Sequence, residues 1–149
     1  MGGSRAVLMV GLFLLASASA PLASSHTQQT LTVILVEDGV VSGNITDPAF
    51  VQGNALWFRM EDNTENTTMK VRLDIDQDGV FNASNDFEST DLVHECDLNE
   101  TGALVDEDCA VSATYAFSMN ATVGTYAFWV HRTSNETETV WNHTVAVHK

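Results

Sequence analysis

Basic residues are scarce in this 149-residue chain: six Lys+Arg stand against 20 Asp+Glu, a formal net charge of −14. So acidic a surface lacks the counter-charge for phosphate backbones or anionic headgroups. That excludes unaided binding to nucleic acid or to an anionic membrane. Cysteine is limited to Cys96 and Cys109. Two thiols are too few for a structural zinc site without histidine, and only His94 lies close to them in sequence. There is no Gly-x-Ser-x-Gly elbow, no glycine-rich phosphate loop and no helical His-x-x-x-His spacing, so no catalytic activity is expected. Long apolar runs are missing too. The run over 6–16 falls short of the roughly 20 residues a spanning helix needs, so no transmembrane anchor is expected.

That apolar run has a different reading. Arg5 precedes it and small residues follow it, which is the layout of a secretory signal over residues 1–25, cleaved between 18 and 25. Residues 26–149 are then a single domain, the default at this length. Two further features agree with export. Seven of the ten Asn begin an Asn-x-Ser/Thr sequon: Asn44, Asn66, Asn82, Asn99, Asn120, Asn135 and Asn142. With 27 Ser and Thr in the chain, chance placement yields about two, so glycosylation is expected at these sites. Cys96 and Cys109 form an even pair, which in an exported chain reads as a disulfide. Closing a loop of that size stabilises by roughly 3 kcal/mol.

Alternation with a period of two dominates the remainder, and no segment reads as a helix. Strands are predicted over 30–36, 40–45, 55–60, 68–75, 111–119, 125–132 and 137–147. In 68–75, Met69, Val71, Leu73 and Ile75 share one face, and Lys70 and Arg72 the other. In 111–119, Val111, Ala113, Tyr115, Phe117 and Met119 share a face. About seven strands with polar turns predict an all-β, antiparallel immunoglobulin-like β-sandwich.

The last hairpin allows a register. Tyr126, Phe128 and Val130 face inward, and a glycan on Asn142 requires that side chain to face out. Opposed residues share a face, so Val130 pairs with Trp141 and Tyr126 with Val145. Trp129 then lies outside near Asn142, beside His131, either as a sugar-stacking platform or packed under the neighbouring glycan or in a subunit contact. The segment Val123-Gly124-Thr125-Tyr126-Ala127-Phe128-Trp129-Val130, with its terminal Thr-Val-Ala-Val strand, resembles the closing hairpin of secreted immunoglobulin-like modules of the polycystic-kidney-disease type. The resemblance implies a tyrosine corner, in which the Tyr126 hydroxyl bonds to backbone a few residues upstream.

The sharpest motif is the loop 74–86, Asp-Ile-Asp-Gln-Asp-Gly-Val-Phe-Asn-Ala-Ser-Asn-Asp. Carboxylates at alternate positions followed by Gly are how a loop wraps a hard cation. Asp74, Asp76 and Asp78 would be side-chain ligands, Val80 a carbonyl ligand and Asn82 a ligand directly or through water. The twelfth position is Asn85, with Asp86 one residue later, and neither flank is helical, so the loop is not an EF-hand. It is similar to calcium loops of secreted β-modules such as the GEVED-type domain with its Asp-x-Asn-x-Asp-Gly stretch, although the Gly-Glu-Val-Glu-Asp signature is absent. Ca²⁺ in a structural role is the expected ion, because Mg²⁺ tolerates crowded carboxylates poorly. A solvated Asp-Gly turn is the alternative. A glycan on Asn82 would crowd its ligand position. A second acidic run, Glu95, Asp97, Glu100, Asp106, Glu107 and Asp108, is expected to be a solvated loop tied by the disulfide.

Together these features predict a secreted, glycosylated, calcium-braced structural or adhesive module without catalysis. Its partner would be a cell-surface protein, a glycan or further copies of itself. Two alternatives stand beside it. One is a subunit of an extracellular filament or coat. The other is a copper protein whose mature N-terminal His26 works with His94, His131 or His143.

Overall fold

The computed structural model describes residues 27–149. The secretory signal and His26 lie outside the described residues. Eight strands follow in order: β1 (Thr30–Val36), β2 (Gly39–Val40), β3 (Ala55–Met60), β4 (Thr67–Leu73), β5 (Phe87–Glu88), β6 (Ser112–Ala116), β7 (Gly124–Ser134) and β8 (Thr137–Val147). They form two four-stranded sheets, β2-β1-β3-β6 and β5-β4-β7-β8. The two sheets enclose one apolar core, and no helix occurs among the described residues. The chain is an all-β sandwich.

The alternation predicted for each main strand is the alternation that packs. Met69, Val71 and Leu73 of β4, Tyr126, Phe128 and Val130 of β7, and Val145 and Val147 of β8 are buried together with Leu56 and Phe58 of β3. The register of β7 on β8 pairs Val130 with Trp141, Tyr126 with Val145 and Trp129 with Asn142, as the facing argument requires. The Tyr126 hydroxyl donates to the carbonyl of Thr122 (2.5 Å), so the tyrosine corner is present. Cys96 and Cys109 are joined by a disulfide.

Three strands differ from expectation. The segment 40–45 contributes only Gly39–Val40 to a strand, because the chain turns at Gly43 with φ +57°. It then crosses to the other sheet, where Ile45 and Val51 bridge Val145 and His148 of the terminal segment. After that detour β3 returns alongside β1 in parallel, the one parallel pairing among the strands. The segment 111–119 keeps only Ser112–Ala116 as strand. Phe117 is buried, while Val111 and Met119 at its ends are exposed. The third difference is β5, which at two residues is too short for alternation to reveal.

The inward stripe of β7 ends in a charge. Arg132 follows Val130 by two, and its Nε donates to Asp62 at 2.6 Å. Asp62 lies just past β3, so the pair ties one sheet to the other. The Asp62 side chain is fully buried and that of Arg132 is 13% exposed. Thr64 completes the network: its N–H and hydroxyl donate to Asp62, and its Oγ1 accepts from Arg132. Burial alone would raise the Asp62 carboxyl, but the hydrogen bonds from Arg132 and Thr64 outweigh it and hold the group below its ordinary value.

Removing the hydroxyl in Tyr126→Phe is expected to destabilise by about 1 kcal/mol in urea unfolding, the usual worth of one hydrogen bond. Asp62→Asn leaves a buried guanidinium without its counter-charge and is expected to cost about 3–5 kcal/mol. A depressed carboxyl stabilises above its unfolded value, and that stability is lost as pH falls through the folded value. The unfolding midpoint of the native chain should therefore drop below about pH 4, and Asp62→Asn should show a shallower slope there.

Candidate metal centre

The loop 74–86 begins where β4 stops and ends where β5 starts. The pairing of β4 with β5 sets Leu73 against Phe87 and Arg72 against Glu88, so the two ends of the loop are neighbours. At the start, the Asp74 N–H donates to the Ala127 carbonyl (2.9 Å) and extends the ladder onto β7. Gln77 is a second tether: its Nε2 donates to the Thr125 carbonyl (3.2 Å). The turn that follows needs left-handed backbone at Gln77 (φ 58°) and Gly79 (φ 82°). Glycine adopts that conformation without the steric penalty other residues meet.

This path gathers Asp74, Asp76, Asp78 and Asp86, with one oxygen from each lying within 4.8 Å of the others. Asp74 is buried, Asp86 half-buried, and Asp76 and Asp78 exposed. Backbone amides fix each carboxylate. Asp74 Oδ2 accepts from the Gly79 N–H (2.7 Å). Asp86 Oδ1 and Oδ2 accept from Ile75 (2.9 Å) and Asn82 (2.8 Å), clamping both limbs of the loop. Asp78 Oδ1 accepts from Val80 (2.9 Å).

One oxygen is left over. Asp74 Oδ1 is buried without a hydrogen-bond partner among the described residues, a state it shares only with His148 Nε2. A buried carboxylate oxygen without a donor is costly unless a cation or proton meets it. Crowding shows in the charges as well. The hydrogen bond that a protonated Asp76 would give the Asp74 carboxylate, with burial and Asp78 adding to it, pushes the Asp76 carboxyl up to about 6. The Val80 N–H holds Asp78 below the ordinary range. Four acids that each offer a hard oxygen, with the buried, unpartnered Oδ1 on Asp74, form a group that can hold a metal ion.

The structure brings together the four carboxylates read from sequence, Asp74, Asp76, Asp78 and Asp86. Val80 lies in the same turn, 64% exposed, and gives its N–H to Asp78. Asn82 gives its N–H to Asp86 and accepts from Ser84 at its Oδ1. Asp86, one residue past the twelfth position, is the distal carboxylate of the group. What sequence reading missed is β5, whose pairing carries Asp86 back to Asp74. Its one sequence signal is Glu88, which meets Arg72 at 2.7 Å.

The acids of the disulfide loop form no comparable group among the described residues. The histidines are dispersed: His131 pairs with Glu138 (3.0 Å), His143 packs on Phe128, and His94 is exposed. All seven sequon asparagines are exposed.

If crowding is what destabilises this loop, neutralising one member helps the metal-free protein. Asp76→Asn is expected to raise the melting temperature in chelator by about 2 °C, and to remove whatever rise a divalent cation produces in the native chain. A fall in chelator would show that the acids do not repel. No protein-family model matches this chain, and no curated protein sequence matches it.

Proposed function

We propose that this protein is an exported, N-glycosylated β-sandwich whose Asp loop binds Ca²⁺ as a structural brace, and that it serves as a binding or adhesive module at the cell surface without catalysis. The observation that carries the reading is the buried, unpartnered oxygen of Asp74 within the group of four carboxylates. Ca²⁺ suits the group because it accepts six to eight oxygens in irregular geometry, with water on the exposed side of Asp76 and Asp78 completing the shell. Mg²⁺ asks for a near-ideal octahedron and keeps its waters, which favours fewer protein carboxylates. The loop is tied to β4, β5 and β7 at once, so an ion there stiffens one end of a sheet.

Export is supported by the disulfide, which persists in oxidising compartments, and by the exposure of every sequon asparagine. No helix among the described residues is long and apolar enough to cross a membrane. The tyrosine corner supports the likeness to immunoglobulin-like modules.

The test is a thermal melt of the native chain in chelator, in millimolar Ca²⁺ and in millimolar Mg²⁺. A ligand at 100-fold over its Kd adds about 2.7 kcal/mol to the folded state, which at this size is a rise of about 10 °C. That rise is expected with Ca²⁺, and a much smaller one with Mg²⁺. Coincident melts in chelator and Ca²⁺ would overturn the calcium reading.

A further inference from the structure

The outward face of the β4–β7–β8 sheet carries a tryptophan with no ring or hydrogen-bond partner among the described residues. Tyr126, Phe128 and Val130 of β7 are buried, so Trp129 projects from the opposite face and is half-buried there. Trp57 has Arg59 over its ring (5.7 Å), and Trp141 packs against the core. Among the described residues Trp129 has neither a ring partner nor a hydrogen bond for its indole N–H. Directly opposite, at the paired position of β8, is the exposed sequon residue Asn142. Side chains at directly opposed positions of an antiparallel pair have Cβ atoms about 4.5–5.5 Å apart.

The same face continues into a polar groove of about 350 Å³, lined by Thr68, Lys70, Arg72, His131 and Thr133, with Glu138 at its far end. Arg72 pairs with Trp129 in register, and Lys70 with His131. The charges are matched in place: Lys70 by Asp91 (3.7 Å) and Arg72 by Glu88 (2.7 Å), while His131 Nδ1 lies 3.0 Å from Glu138. A surface of matched charges and hydroxyls beside a half-buried aromatic ring suits a neutral, hydroxyl-rich ligand better than an ionic one. An apolar sugar face stacks on indole, and sugar hydroxyls reach the polar groups beyond it.

We propose that the glycan on Asn142 folds back onto its own sheet, with its first sugar stacked on Trp129 and its next sugars directed along this groove. The inference rests on the glycosylation reading above. Glycosylation itself joins Asn142 Nδ2 to C1 of the first sugar, breaks the bond from that carbon to the diphosphate of a lipid-linked donor, and releases one amide proton. Stacking then makes the glycan part of the fold. It covers the exposed part of the half-buried Trp129 ring.

The experiment compares the full chain with Asn142→Gln, Trp129→Ala and the double variant, all expressed in a host that N-glycosylates, with peptide mass spectrometry reporting occupancy of Asn142. With Asn142 occupied, losing the sequon is expected to lower the melting temperature by about 3 °C in the Trp129 background. In the Trp129→Ala background the loss should vanish. Trp129→Phe, which keeps a ring, should retain part of it. As a second measurement, enzymatic removal of the glycans should change tryptophan emission in the native chain and leave Asn142→Gln unchanged. An occupied Asn142 whose loss costs the same with and without Trp129 overturns the stacking alone. An Asn142 found unmodified overturns the stacking and removes this site from the glycosylation reading.

Discussion

The period-two alternation shared by β4, β7 and β8 is the constraint on which the rest of the molecule depends. Each strand buries every second residue against the opposite sheet. β7 lies between β4 and β8, so its register sets the register of both. A slip of one residue would drive Lys70, Arg72, Trp129 and His131 into the core and expel Val71, Phe128 and Val130. The penalty for burying those charges leaves one register available. The Asp loop and the outer face inherit their positions from it, since Asp74 continues the β4–β7 ladder and Trp129 meets Asn142 across β7–β8.

The sandwich treats buried charge differently at the two ends of β4 and β7. Near the start of β4, Asp62 is met by Arg132 and Thr64, and its carboxylate is satisfied by the protein itself. Past the end of β4, Asp74 is equally buried but keeps one oxygen without a donor, with three more carboxylates crowding toward it. The first arrangement is complete and ties the two sheets together. The second leaves that oxygen open to a cation or a proton, which is why the functional reading rests there.

The segment between β2 and β3 decides the topology. Instead of pairing back on β1, it runs beside β8, where backbone bonds from Ile45 to Thr144 and from Gln52 to His148 cover the edge of the sheet. A covered edge cannot recruit another strand. The same detour is why β1 and β3 run parallel in a sandwich whose other strand pairings are antiparallel.

Much of this was legible in the residues. The bounds of β1, β3 and β8, the inward stripes and the Trp129–Asn142 facing all follow from alternation, because a strand with one buried face must repeat every two residues. Asp-x-Asp-x-Asp-Gly marked the loop, since alternate acids followed by a glycine turn bring their carboxylates together. The tertiary structure alone settled how distant segments meet. No local pattern announces that 44–54 leaves its own sheet, that a two-residue β5 returns Asp86 to Asp74, or that Arg132, an unremarkable cation in sequence, is the inward partner of Asp62. Those outcomes depend on which backbone and charged groups would otherwise be buried unpaired, a cost that exists only once the two sheets have closed on each other.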